Sequence, residues 1–173
     1  MASLEARTIQ HLKTLGYDAP PCPVPLKVLV PLLQSATLEE DDDLQDIWAA
    51  LLANASTPEL GDTISVSFVD MLKCMGPLDV KILSVIYLAK SGSPKDVFVT
   101  QDLPAKTEVY NGVDKPRGLP DLATQASIWN LVRLGCLTAE SSSSGSRKAI
   151  FVALTALGER FVEACTVGAK GGT

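Results

Sequence analysis

The sequence predicts a mainly α-helical protein with a small β-hairpin, its N-terminal helical part packed on a C-terminal winged-helix-like module. Three observations lead there. Apolar residues recur at helical spacing through most of residues 4 to 90. The stretch "IWNLVRLGCLTAESSSSGSRKAIFVALTALGERF", residues 128–161, reads as helix, strand, polar loop, strand and helix. Apolar side chains make up 46% of the 173 residues and charged ones 20%, enough for one compact domain or two small halves sharing a core. The chain divides by pattern into a helical region (1–76), a winged-helix-like region (77–167) and a flexible tail (168–173).

The first helix is expected in "SLEARTIQHLKTLG", with Leu4, Ile9, Leu12 and Leu15 near helical spacing, Ser3 as N-cap and Gly16 as stop. A stiff "DAPPCPVP" connection follows. "PLKVLVPLLQSA" reads as a short core helix that Pro31 is expected to kink. The clearest helix lies in "TLEEDDDLQDIWAALLANA". There Thr37 and Glu40 have capping-box spacing, and Leu44, Ile47, Trp48, Leu51, Leu52 and Ala55 form one apolar face.

"SVSFVDMLKCMGPLD" adds a helix through Val66, Val69, Leu72 and Met75, closed by Gly76. Pro77 suits the first turn of the next helix, and Asp79 answers the charge preference of its N-terminus. That helix is apolar on most sides, through Val80, Ile82, Leu83, Val85, Ile86 and Leu88, and is expected at the buried centre. "DVFVT" can form a short strand, and "PAKTEVYNGVDKPRG" is rich in turn formers. A helix from Pro120 to Leu134 is expected to turn its apolar face through Leu122, Ala126, Trp129 and Val132 or Arg133, with Trp129 as a core anchor. "CLTAE" and "AIFVAL" are strand-like, "SSSSGSRK" between them is a polar wing, and Thr155 caps a last helix.

Charge and chemistry exclude several functions. The net charge of −5 is uneven: residues 1–76 hold 11 acidic and 4 basic side chains, a net of −7, while residues 77–173 hold 9 and 11, a net of +2. An acidic half argues against a general polyanion binder, because non-specific DNA affinity comes from clustered Lys and Arg. The run Glu39–Asp43 lacks the interleaved Gly or Asn ligands of a calcium loop and suits a helix N-terminus. No apolar run approaches the roughly 18 residues that span a bilayer, and the start lacks a secretory stretch, so a cytoplasmic protein is expected.

Cys22, Cys74, Cys136 and Cys165 show no CxxC pairing, and His11 is the one histidine, so a zinc site is not expected. Cys74 and Cys165 fall on apolar helix faces and are expected to be buried thiols, with Cys22 the most exposed. A nucleophilic cysteine needs a base beside it, and only His11 is offered. No phosphate loop of the form GxxxxGK[ST] occurs. The expectation is a protein without catalytic residues, cofactor or metal.

A DNA-reading winged helix would put polar and basic side chains of its recognition helix into the major groove while the wing meets phosphate. Candidate nucleic-acid contacts here are Gln125, Asn130 and Arg133 on the helix and Arg147 and Lys148 on the wing. Gln and Asn can read adenine, but these few cations offer few phosphate contacts. The favoured reading is therefore a scaffold or protein-contact surface, with an unknown protein partner or a second copy of the chain. The alternative is a winged-helix DNA-binding transcriptional regulator.

Two segments carry a resemblance. "VLVPLLQSATLEEDDDLQDIWAALLANA" followed by "FVDMLKCMGPLDVKIL" resembles the bacterial Abi-alpha family, a domain of unknown function linked to abortive phage infection. The shared pattern is a proline-interrupted helix, an acidic helix bearing W-A-x-L-L-A-N-A, and a helix ending in a (S/G)-P-L-D turn. Its later L-x-x-L-G and L-T-x-x-G spacings are matched by Leu131–Gly135 and Leu154–Gly158. The likeness covers roughly residues 24–165. It implies a role in phage defence as a non-enzymatic sensing or interaction component, and it brings no catalytic residues to carry over. Trp48, Leu51 and Asn54 match the motif and read physically as packing and helix termination.

Overall fold

The computed structural model describes residues 3–93, 96–113, 118–141 and 149–168. Among them the chain is mainly helical, with seven α-helices and one small three-stranded antiparallel sheet. It forms two compact units, Met1–Cys74 with Glu163–Thr173, and Met75–Val162.

The first unit is built on α1 (Leu4–Thr14), α2 (Leu26–Ala36), α3 (Asp42–Ala55) and α4 (Val66–Lys73). Ser3 caps α1 by accepting the Ala6 N–H, and Gly16 leaves the helix at φ +91°, as its missing Cβ permits. α2 continues through Pro31, and the Ser35 hydroxyl donates to the Pro31 carbonyl at 2.8 Å. Helix α3 is the centre of this unit. Leu44, Trp48, Leu51 and Ala55 are buried, Trp48 with only 1% of its surface exposed, while Ile47 and Leu52 are half-buried. Helices α1 and α2 both pack on α3, and α4 packs on α2.

The start of α3 departs from the capping box expected at Thr37 and Glu40. Thr37 instead closes α2, its hydroxyl donating to the Leu33 carbonyl. The cap of α3 is Asp41, whose carboxylate accepts the N–H groups of Asp43 and Leu44, both at 3.0 Å. A run of five carboxylates offers several caps, and Asp41 is the one whose backbone is extended just before the first helical turn.

The second unit starts with α5 (Pro77–Ala89), whose N-cap is Gly76. Gly76 thus opens α5, and α4 already stops at Lys73. Ile82, Leu83 and Ile86 are buried, but Leu88 is 81% exposed, so α5 has one wet face despite its composition. Strand β1 (Phe98–Val99), helix α6 (Leu122–Arg133), β2 (Leu137–Ser141) and β3 (Ala149–Leu154) follow. The sheet order is β1-β3-β2, antiparallel throughout, with Phe98 opposite Val152 and Leu137 opposite Leu154. Thr100 extends the β1 edge: its buried hydroxyl donates to the Ala149 carbonyl at 2.7 Å. Helix α6 packs on α5 and on the sheet.

The apolar face of α6 is rotated from the expected one. Thr124, Ser127, Ile128 and Leu131 are buried, while Leu122 is 83% exposed, Ala126 is exposed and Trp129 is only half-buried. Two hydroxyls on the inner face found internal acceptors, which composition alone does not announce. Helix α7 (Ala156–Ala164) begins at Thr155, whose hydroxyl accepts the Gly158 N–H at 2.9 Å.

Candidate interaction site

Asp79 organises the polar side of α6. It lies at the third position of α5, where its carboxylate accepts the Gly76 N–H at 2.8 Å, the reach-back half of a capping arrangement. Asp79 is nevertheless buried. Its remaining acceptor sites face α6, where the Ser127 hydroxyl donates to one oxygen and the Asn130 amide to the other at 3.0 Å. Ser127 and Asn130 are three residues apart and so share a face of α6. The Asn130 carbonyl in turn accepts from Arg133 at 2.7 Å.

These bonds decide where the sequence-predicted contacts stand. Asn130 is held between Asp79 and Arg133, and Gln125 donates to the Pro120 carbonyl at 2.8 Å. Arg133 is exposed at the end of α6. Arg147 and Lys148 lie outside the described residues, as does most of the "SSSSGSRK" loop. In the sequence Asp79 reads as a simple terminal charge. The i, i+3 pairing of Ser127 with Asn130 was the available signal that a buried acceptor waits opposite.

A second polar arrangement joins the two later family spacings. Gly135, at φ +79°, turns the chain out of α6. The Thr155 hydroxyl donates to the Gly135 carbonyl at 2.6 Å, and the Thr155 N–H to the Cys136 carbonyl at 3.0 Å. Cys136 is buried, and burial, with the nearby Asp79 charge, pushes its thiol up to about 12. Such a thiol is inert at neutral pH. Cys22 and Cys165 are half-buried, and Cys74 is exposed, the reverse of the expected burial, because it sits at the C-cap of α4 past the apolar face.

In the first unit, polar and charged side chains pair across α1 and α3. Arg7 meets Asp42 at 2.5 Å and Asp46 at 3.6 Å, and His11 meets Asp46 at 3.1 Å. In the second, Lys90 meets Glu159 at 2.6 Å and lies 4.2 Å from the centre of the Tyr87 ring. The Glu159 bond, foremost, raises the Lys90 ammonium above its ordinary range. Among the described residues no group of three or more His, Cys, Asp and Glu side chains could hold a metal ion, and no helix is long and apolar enough to cross a membrane.

The first unit also carries an apolar opening. α1 and α2 both pack on α3, and a groove of about 690 Å³ is lined by residues of both. Leu4, Ile9, Val24, Leu29 and Leu33 form its walls and Leu52 of α3 contributes to its floor. Of the hydroxyls along it, Thr8, Thr37 and Ser56 donate to carbonyls one turn back, and Ser3 accepts the Ala6 N–H.

Fold and site together define a mainly helical protein with an apolar groove in its first unit and a buried polar network around Asp79 in its second. The model of the abortive infection alpha family matches residues 3–165, and the chain belongs to that family. Membership suggests a role in phage defence. Neither the curated proteins nor the solved structures offer a match.

Proposed function

We propose that the protein is a non-enzymatic interaction or sensing component of phage defence, acting in the cytoplasm, and that residues 77–167 are a winged-helix-type module used as a scaffold. The order of helix, strand, helix and hairpin, with β1 beside β3, supports the module. The observation that carries the scaffold reading is the Asp79 network. A recognition helix needs Asn and Gln free to meet base edges. Here Ser127 and Asn130 bond to a buried carboxylate on α5, and Gln125 bonds to the chain just before α6.

Two measurements test this. Cells expressing the chain are challenged with phage, and the tagged protein is recovered before and after infection. A protein that joins it only in infected cells supports the reading. The purified chain is also titrated with duplex DNA at about 50 mM salt, where electrostatic binding is strong. No salt-sensitive affinity is expected. A duplex bound at nanomolar strength and released by Arg147→Ala with Lys148→Ala would make the protein a regulator, and turnover abolished by one substitution would make it an enzyme.

A further inference from the structure

Helix α2 is apolar on two sides. Val28, Leu32 and Ala36 are buried in the first unit, at i, i+4 and i+8. Leu26, Val30 and Leu33, at i, i+4 and i+7, form a second stripe that is turned to solvent, with Leu26 72% and Val30 47% exposed. A surface helix ordinarily carries polar residues on that side. Leu33 belongs both to this stripe and to the wall of the α1–α2 groove. The apolar groove and the apolar ridge are therefore neighbours on one surface, the arrangement a two-fold contact requires, since each copy must offer both halves.

Charge selects the occupant. Glu5 is the one charged side chain lining the groove. Lys27 is the one charged side chain in α2, adjacent to Leu26 and Val30 on the ridge. Residues 1–76 carry a net charge of −7, so two copies repel over most of this region. Helix α2 has no acidic residue, whereas α1, α3 and α4 each have at least one. It is the face by which two copies can approach, with the ridge of one carrying the cation that the groove of the other lacks.

We propose that the α1–α2 groove is a self-association site, filled in a two-fold dimer by the Leu26–Val30–Leu33 face of α2 from a second copy of this chain, with Lys27 of each copy meeting Glu5 of the other. The proposal rests on the reading of the protein as an interaction component. Its failure is separate, because a monomer that still restricts phage overturns the dimer alone, and a dimer with turnover overturns that reading alone.

Sedimentation of the full chain between about 1 and 100 µM spans the range in which contacts of modest area form. A concentration-dependent dimer is expected. Val30→Asp, at a site already half exposed, is expected to weaken it by about a hundredfold by placing an unpaired charge in the contact, with an unchanged circular dichroism spectrum. Lys27→Glu and Glu5→Lys are each expected to weaken it about threefold, and the double exchange to restore it, as paired charges at a contact rim do. Three results would overturn the proposal: a monomer throughout the range, a dimer indifferent to Val30→Asp and to the charge exchanges, or a monomer carrying a co-purified acyl lipid in native mass spectrometry.

Discussion

Gly158 lies so close to the Cys136 carbonyl that a Cβ built on it would collide with that oxygen. Cys136 follows the glycine that ends α6, and Gly158 lies in the first turn of α7, so the two family spacings L-x-x-L-G and L-T-x-x-G meet at this point. Thr155 completes the clasp, donating to Gly135 and capping α7 through Gly158. The glycine is required by backbone proximity. Gly158→Ala must push two backbone segments apart, and overpacking of this kind costs about 1–3 kcal/mol or more. Thr155→Ala loses a cap, worth about 0.5–2 kcal/mol. Urea denaturation midpoints check both, and a Gly158→Ala midpoint equal to wild type would remove the clasp from the account.

Asp79 is the acceptor shared by the Gly76 N–H, the Ser127 hydroxyl and the Asn130 amide. Hydrogen bonds to a charged group contribute about 1.5–3 kcal/mol each, and losses within one network do not add. Asp79→Ala is therefore expected to destabilise by about 3 kcal/mol or more, Ser127→Ala by less. In the double variant the Ser127 substitution should cost almost nothing further. Equal and additive single effects would show that the two residues act independently. The same cycle distinguishes scaffold from reader, because an Asn130 serving DNA would leave stability untouched when replaced by Ala.

The Cys136 thiol gives a pH signature. Its folded value, about 12, lies above the ordinary 9.0. A group raised in this way contributes stability that is fully present below the unfolded value and is lost as pH rises toward the folded one. The protein should thus weaken between about pH 9 and 12, and Cys136→Ala should flatten that decline while lowering stability at neutral pH through the lost packing. In thiol labelling at neutral pH, exposed Cys74 should react first and Cys136 only on unfolding. Rapid labelling of Cys136 in the native protein would contradict its burial.

Asp121 gives the opposite sign. As N-cap of α6 it accepts the Ala123 and Thr124 N–H groups at 2.9 and 3.0 Å, and the Thr124 backbone bond foremost holds its carboxyl below the ordinary 3.8. A depressed carboxylate contributes stability above its unfolded value and loses it as pH falls through the folded one. Wild type should exceed Asp121→Asn in stability near pH 6, and the gap should close as pH falls below about 4. A gap that persists unchanged at pH 2 would show that the charge is irrelevant to the cap.

What the sequence made legible follows from how local each signal is. Ser3, Pro77 and Thr155 mark helix starts because a cap or an N1 proline acts within one turn. The α3 face was legible because six apolar residues repeat with one period. Two kinds of signal failed. Several carboxylates compete to start α3, and the pattern did not say that Asp41 would prevail over Thr37. Ser127 is buried against an acceptor on another helix, Asp79 of α5, and Thr124 against the Asp121 cap of its own helix, so apolar periodicity pointed to Leu122 and Ala126 and missed the face by part of a turn. The α1–α2 groove was equally hidden, since it depends on how both helices pack on α3.

Among the buried residues of the string IWAALLANA, Trp48 and Asn54 have different tasks, and one comparison separates them. Trp48 fills the core of its unit, and its truncation to Ala is expected to cost about 3–5 kcal/mol, spread over every probe of that unit. Asn54 is equally buried, but it reaches 110 residues along the chain: its amide donates to the carbonyls of Ala164 at 2.9 Å and Thr166 at 3.1 Å. Asn54→Ala removes that donor and should cost about 1–3 kcal/mol. Asn54→Asp should be worse at neutral pH despite its matching shape, because it sets a carboxylate against two carbonyl oxygens in a buried place. Hydrogen exchange locates the effect. Both Asn54 variants should raise exchange first at residues 163–168 and leave α1 protected, whereas Trp48→Ala should raise it across α1 and α3 together. If Asn54→Ala loosens α1 as much as the carboxy-terminal segment, the residue serves general packing and the tie is incidental.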